Sequence, residues 1–144
     1  QFDTVPILQI TKKIEQVIEE FKPQTIFTHH LGDLNKDHVI THRASLIASR
    51  PMENNFITNV ATFETPSSSE WPFSQFENFQ PNLFFNIEKL IEKKIEAMNA
   101  YDNEIRSFPH PRSSENLKAI SEFRGSSVGM KKAEAFQIVR LISE

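Results

Sequence analysis

Two helical patterns, each followed by a short apolar strand pattern, most constrain the fold of this chain. Apolar residues recur at helical spacing over residues 7–21, Pro23 ends that pattern, and residues 25–28 form a short apolar run. The sequence then predicts a helix over residues 37–48 and a strand over residues 59–63. Because helix and strand alternate in this order in parallel βαβ units, the pattern predicts an α/β fold.

The remainder of the chain continues with elements of both kinds. We predict a long polar loop over 66–81, a strand over 83–87, a helix over 88–105, a helix capped by Ser113 or Ser114 and running to about residue 124, and a closing segment over 136–142 that fits either strand or helix. The chain has 144 residues, the length of one ordinary domain, so we expect a single domain over residues 1–144.

Composition excludes several classes of function. The net charge is −3 without a basic stripe, so nucleic acid is not an expected partner. No apolar run approaches the roughly 20 residues of a membrane span. The chain has no cysteine, which excludes disulfides and cysteine-ligated zinc and fits a cytoplasmic protein. Histidine, aspartate and glutamate therefore remain as the strong metal ligands.

Four of the five histidines follow the first predicted strand within a segment of fifteen residues. Imidazole and carboxylate groups together are the ligands that Zn²⁺ and similar divalent ions prefer. His38 and His42 lie four residues apart on one helix face, where they form either a chelating pair or an ordinary surface pair. His29 and His30 are adjacent at a strand end and point to opposite sides, so at most one of them is expected to face a site.

Acidic and basic residues near this segment allow more than one interpretation. Asp37 directly precedes His38 and either orients a ligating imidazole or caps the helix. Asp33 is the other candidate for the helix cap. Glu64 follows the second parallel strand and could reach the same edge of the sheet. Arg112 could bind a phosphate, although isolated arginines more often form surface ion pairs.

The phenylalanines of the long loop and the next strand also have two interpretations. Phe73, Phe76, Phe79, Phe84 and Phe85 could stack on a sugar ring or contact a partner, but such residues more often hold a long loop against the core.

The segment from Thr28-His29 through Asp33, Asn35, Asp37 and His38 resembles the second motif of the LmbE/PIG-L family of zinc-dependent deacetylases. Further pieces occur in the order of the family over nearly the whole chain. They are Phe63-Glu64-Thr65, Phe79 with Pro81-Asn82, Lys94 with Tyr101 and Glu104, Pro109-His110-Pro111-Arg112-Ser113, Arg124-Gly125, and Ala133-Glu134-Ala135-Phe136. The ordered series is more specific than the central motif alone.

The resemblance implies a Rossmann-like parallel sheet flanked by helices and hydrolysis of an N-acetyl group on an amino sugar, glycoconjugate or nucleotide-sugar. His38 would be a zinc ligand, Asp37 would orient it, and Asn35 would donate a hydrogen bond at the catalytic centre. His29, Asp33, Glu64 and Arg112 are the residues we assign to substrate contact.

The early H-P-D-D motif of the family, which supplies two further zinc ligands and the carboxylate that activates water, is not present in this chain. We therefore expect the chain to be the C-terminal portion of such a domain, with a fold that is incomplete at its N-terminal side. The missing ligands would come from an upstream segment or a second chain, and an oligomer is possible. The zinc ligand set would be incomplete, and the isolated chain is expected to be inactive.

Two other functions compete with the deacetylase hypothesis. The chain could be a non-catalytic sugar-binding or partner module of the same fold. It could also be an unrelated metal-dependent phosphoesterase that uses Asp33, Asp37 and His38.

Overall fold

A computed structural model of the chain describes residues 1–52, 56–73 and 75–143. The regular elements after a short 3-10 helix at Phe2–Thr4 are α1 (Ile7–Phe21), β1 (Thr25–His29), α2 (Lys36–Ala48), β2 (Asn59–Phe63), β3 (Leu83–Asn86), α3 (Ile91–Asn99), α4 (Ser114–Ser126) and β4 (Ala133–Leu141). The four strands form a sheet in the order β1-β2-β4-β3. This is a Rossmann-like α/β arrangement, which confirms the predicted fold class.

The chain divides into two compact units, the first made of residues 1–80 with 137–144 and the second of residues 81–136. The single domain expected from the chain length stays a prediction. Among the described residues, no helix is both long enough and apolar enough to cross a bilayer.

The first unit contains the predicted βαβ arrangement. Strands β1 and β2 pair in parallel, with Thr25 opposite Asn59 and His29 opposite Phe63, and α2 is the crossover between them. The helix packs on β1, where the hydroxyl groups of Thr28 and Ser45 meet at 3.3 Å in the interior. The parallel pairing brings the carboxyl ends of both strands to one edge of the sheet.

Helix α1 has the predicted bounds, but its apolar stripe is not part of the core. It ends where Lys22 adopts a left-handed conformation with φ of 47° and donates its N–H to the Ile18 carbonyl. Of its fifteen residues only Thr11 is buried, while Leu8, Val17 and Phe21 are exposed. Helix α1 packs on α2, so its amphipathic pattern identifies the helix correctly but not what it covers.

The cap of α2 differs from the prediction. We expected Asp33 or Asp37 to cap this helix, but the N-cap is Asn35, whose side-chain oxygen accepts the Asp37 N–H at 2.9 Å. Asp33 lies two residues before Asn35 and accepts the Asn35 N–H at 2.9 Å. The two side chains therefore support successive backbone groups of the turn that leads into the helix.

The second unit is built on an antiparallel pair, in which β3 runs against the first residues of β4 from Leu83–Phe136 to Asn86–Ala133. Ile87, Ile91 and Ile95 form its buried apolar cluster. Helix α3 is shorter than the predicted helix over 88–105, because residues 87–90 and 101–104 form turns at its two ends.

Two other predictions for the second unit concern α4 and β4. Ser113 caps α4 as predicted, since its hydroxyl accepts the Asn116 N–H at 3.1 Å. The ambiguous closing segment is a strand, and it begins three residues earlier than expected, at Ala133.

Candidate functional site

The candidate site lies in the first unit, at the carboxyl ends of β1 and β2. His29 ends β1, and the His30 N–H donates to the Phe63 carbonyl at 3.2 Å where β2 ends. The His/Asp segment, residues 28–42, then turns back and enters α2. Ligands of open α/β sheets bind outside the carboxyl ends of the strands, so this edge is where a site is expected.

The centre of the site is a close contact between Asp33 and His38. Oδ2 of Asp33 lies 3.0 Å from Nδ1 of His38, and the Asp33 side chain has no exposed surface. The angles of this contact are not those of a hydrogen bond, so the distance describes an electrostatic approach rather than a donated proton. Asp33 is held by the Asn35 N–H at 2.9 Å and approached by the Ser69 hydroxyl at 3.4 Å.

His29 packs directly on this pair. Its ring is stacked on the ring of His38, with centroids 4.0 Å apart and an interplanar angle of 17°, and it also contacts Phe63. Nδ1 of His29 and Nδ1 of His38 are both buried, and neither has a hydrogen-bond partner among the described residues. Burial of the imidazole lowers the pKa of His29 from 6.5 to about 4, with a further lowering from His38 and an opposing effect from Asp33.

His42 has a different role from the two that the spacing allowed. It is buried, and its Nδ1–H donates to the His29 carbonyl at 2.8 Å, which ties α2 to the end of β1. Burial lowers the pKa of His42 as well. His42 is therefore not an exposed surface residue. Its Nδ1 is used in the hydrogen bond to His29 and does not form a chelating pair with His38.

Asp33, and not Asp37, is the carboxylate that contacts His38. The Asp37 carboxylate accepts the Phe2 N–H at 2.8 Å. The Phe2 hydrogen bond is the main cause of a lowered pKa at Asp37. The orienting role that the family resemblance implies for Asp37 stays a prediction, and so does substrate contact by Asp33.

The remaining predicted residues divide between the two units. Glu64 directly follows β2 and is half-buried at the edge where the His/Asp segment begins. Arg112 belongs to the second unit, where its guanidinium pairs with Glu104 and its backbone N–H donates to Nδ1 of His110 at 3.1 Å. The ion pair is the more ordinary of the two interpretations that the sequence allowed for Arg112.

Sequence patterns did not indicate how closely residues 65–69 and 77–79 contact the His/Asp segment. The His30 ring donates from Nε2 to the Glu77 carbonyl at 2.9 Å and meets the edge of Phe79. The Leu34 N–H donates to the Ser68 carbonyl at 3.0 Å. The sequence offered two signals. Phe79 belongs to the phenylalanines that more often hold such a loop against the core, and at Gly32 a side chain would overlap the Glu77 carbonyl oxygen.

We predict that Gly32→Ala loosens this attachment. The added methyl group must displace the Glu77 backbone, so we expect a destabilisation of about 1–3 kcal/mol in urea unfolding and faster proteolysis between residues 65 and 79. Gly129→Ala is the control, since its Cβ would meet no atom within 4 Å although its φ of 74° is strained. Equal proteolysis of the wild type and Gly32→Ala would contradict the close approach.

The histidine stack also predicts a pH dependence for the metal-free chain. The unfolded state binds a proton at His29 near pH 6.5, whereas the folded state does so only near pH 4, so stability is lost as the pH falls between these values. His29 is only partly buried, so we expect a loss of about 1–2 kcal/mol. Urea unfolding with chelator measures it, and His29→Asn should flatten this part of the profile. An unchanged profile in that variant would assign the loss to other groups.

The described residues do not by themselves form a complete zinc site. No group of three or more histidine, cysteine or acidic side chains among them is arranged to hold a metal ion. His38 and its neighbours offer only a partial set of donors, and Nδ1 of His38 already faces the Asp33 carboxylate. A structural or catalytic zinc site needs at least three protein ligands, so further donors would be required.

Comparison with known proteins identifies the fold. No protein-family model matches the chain, and no curated protein matches it. Among solved structures, a conserved protein of Thermus thermophilus has a TM-score of 0.72 at 19% identity, over 98% of this chain and 62% of its own.

Two similar structures are deacetylases. The N,N′-diacetylchitobiose deacetylase of Pyrococcus horikoshii has a TM-score of 0.69 at 15% identity, over 95% of this chain and 54% of its own. A zinc-inhibited form of teicoplanin deacetylase has a TM-score of 0.65 at 17% identity, over 96% of this chain and 53% of its own. The resemblance to LmbE/PIG-L deacetylases is thus confirmed at the level of the fold, and this chain spans less than two thirds of each relative.

Proposed function

We propose that this chain is part of a hydrolase that removes an N-acetyl group from an amino sugar, glycoconjugate or nucleotide-sugar. The observation that carries the proposal is the buried Asp33–His38 contact at the carboxyl edge of two parallel strands, in a chain with the fold of known deacetylases. A carboxylate beside one ring nitrogen of a histidine is a common way to orient the other nitrogen toward a metal or a substrate.

The chain's own residues contribute mainly by positioning the histidine. Asp33 is fixed by the turn before α2 and faces Nδ1 of His38, which leaves Nε2 as the ring nitrogen for a ligand. The side-chain oxygen of Asn35 accepts in the helix cap, and its amide nitrogen is the group that would donate to a developing oxyanion. In this proposal His29 stabilises the ring of His38 by stacking, and Glu64 contacts the substrate. Substrate contact by Arg112, which belongs to the second unit, stays a prediction.

The proposed cofactor is zinc, which would polarise the amide carbonyl when bound. Because the described residues offer His38 but no closed ligand set, the other ligands would come from a segment outside this sequence or from a second chain. We therefore propose that these 144 residues alone do not hydrolyse the amide. We also propose that the reaction takes place in the cytoplasm.

The experiment that tests this function measures acetate release from N-acetylglucosamine and N,N′-diacetylchitobiose by the full protein with added Zn²⁺. We expect release that a chelator abolishes, and no hydrolysis of 4-nitrophenyl phosphate. Phosphate release in place of acetate release would instead support the phosphoesterase hypothesis. Absence of both activities in a protein that binds zinc would contradict hydrolysis by this site.

The second candidate, a sugar-binding module without hydrolysis, is favoured by one observation. The described residues bring together His38, His29 and Asp33 but do not arrange three ligands around a common point. Sugar binding that is equally strong with chelator and with Zn²⁺, in a full protein that releases no acetate, would support this candidate.

A further inference from the structure

A tight turn begins just after β2 ends and contacts the candidate site. The Thr65 carbonyl accepts the N–H groups of both Ser68 and Ser69 at 3.0 Å. The Ser69 hydroxyl oxygen in turn accepts the Thr65 N–H at 2.7 Å. The turn over residues 65–69, which we call the serine turn, is therefore closed by its own hydrogen bonds, so the groups that it presents to the site have fixed positions.

The serine turn contacts the His/Asp segment at two adjacent residues. The Ser68 carbonyl accepts the Leu34 N–H at 3.0 Å, and the Ser69 hydroxyl donates to Oδ2 of Asp33 at 3.4 Å. The first contact fixes the backbone next to Asp33, and the second reaches the carboxylate itself. Because the Ser69 oxygen already accepts the Thr65 N–H, the hydroxyl is held in place and its proton is available to Asp33.

The two oxygens of the Asp33 carboxylate have different partners. Oδ1 accepts the Asn35 N–H at 2.9 Å, whereas Oδ2, the oxygen that meets Ser69, also lies 3.0 Å from Nδ1 of His38. The Asp33 side chain has no exposed surface, so protein groups must supply its hydrogen bonds. Within the described part of the chain, the Ser69 hydroxyl is the side-chain group that does so at Oδ2.

The position of Oδ2 determines which ring nitrogen of His38 carries the proton. A carboxylate oxygen 3.0 Å from Nδ1 favours a proton on that nitrogen, since a lone pair there would face a negative charge. The neutral ring then has its lone pair at Nε2, the nitrogen that the proposed function assigns to a ligand. Any group that holds Oδ2 in place therefore also controls the tautomer of His38.

We infer that Ser69 is a positioning residue, whose hydroxyl holds the Asp33 carboxylate so that Oδ2 keeps the His38 proton on Nδ1. Ser69 acts through Asp33 and contacts neither the His38 ring nor the substrate. This inference deepens the proposed function, because it takes the role of Nε2 from it. The tautomer of His38 is a property of the metal-free protein, so it can be measured independently of hydrolysis.

Long-range ¹H–¹⁵N spectra of the full protein, recorded with chelator at alkaline pH, distinguish a proton on Nδ1 from one on Nε2, and His38→Gln assigns the signal. We expect the Nδ1–H form to predominate in the wild type and in Ser69→Thr, which keeps the hydroxyl. Ser69→Ala should shift the tautomer ratio toward Nε2–H by at least about 3-fold, as expected for the loss of one hydrogen bond. Ser69→Cys, a weaker donor, should shift it in the same direction.

Ser68→Ala is the matched control, since Ser68 contacts the His/Asp segment through its backbone carbonyl and its replacement should leave the tautomer unchanged. In the acetate assay, Ser69→Ala should lower kcat about 3- to 10-fold and change KM less than about 2-fold.

Three results would overturn the inference. They are an unchanged tautomer in Ser69→Ala, an equal change in Ser68→Ala, and a Ser69→Thr variant that behaves like Ser69→Ala. A tautomer that depends on Ser69 in a protein that releases no acetate contradicts only the proposed hydrolysis. Acetate release with a tautomer that does not respond to Ser69 contradicts only the positioning role.

Discussion

Replacement of Asp33 by alanine is expected to destabilise the first unit by about 2–4 kcal/mol, because the fully buried carboxylate supports several groups at once. It accepts the Asn35 N–H that begins the turn into α2, and it lies against His38 and the Ser69 hydroxyl. Without it, the Asn35 N–H loses its partner and the contacts with His38 and Ser69 are lost. Urea unfolding followed by circular dichroism measures the effect.

Asp37→Ala is the matched control for this prediction, since it removes the same chemical group four residues later. The Asp37 carboxylate is partly exposed and accepts the Phe2 N–H, so its loss should cost much less stability than the loss of the fully buried Asp33 carboxylate. Asp33→Asn should fall between the two, because an amide oxygen can still accept the Asn35 N–H. If Asp33→Ala and Asp37→Ala were equally stable, Asp33 would not be the central support of the site.

The regular part of the first unit was predictable because local signals agree there. The hydrophobic periodicity, the prolines that end helices and the residue composition all indicate the same elements. The elements α1, β1, α2 and β2 therefore match their predicted ranges to within about one residue. Their parallel pairing then follows from the connection through a helix. What α1 covers was not predictable, because an apolar stripe specifies a face and not its partner.

The errors in the second unit come from competition between local signals. The apolar spacing of residues 88–105 continues past the end of α3, but Asp102 and Asn103 favour turns, and the structure has a turn there. The closing strand was ambiguous because a short apolar run fits both periods. Pairing with β3 decides it, and that pairing joins residues about fifty positions apart.

At the candidate site, the sequence grouped the polar residues in one segment but did not indicate their contacts. Asp33, Asn35 and Asp37 are all acceptors within one turn, and adjacency to His38 favoured Asp37. The turn instead directs Asp33 into the interior, and Asn35 is used in the cap. Similarly, the attachment of Ser69 and Glu77 depends on tertiary contacts that no spacing encodes.

Substitution of His38 by glutamine is expected to have the largest effect on function. A residue that hydrogen-bonds to a metal-ligating histidine typically contributes 10- to 100-fold to metal affinity or activity. Loss of the ligating ring itself should have a larger effect than that. In the full protein we therefore expect His38→Gln to lower Zn²⁺ affinity and acetate release by more than about 100-fold each. Calorimetric zinc titration and the acetate assay measure the two effects separately.

His42→Gln is the control that separates ligation from packing. His42 lies on the same helix and within the same histidine cluster, but its Nδ1–H is committed to the His29 carbonyl. Its replacement should lower stability while changing Zn²⁺ affinity less than about 5-fold. His38 differs from His42 in having a partly exposed ring with a buried carboxylate at Nδ1, as a ligating histidine requires. Equal losses of zinc affinity in both variants would mean that the cluster acts through packing and not through His38.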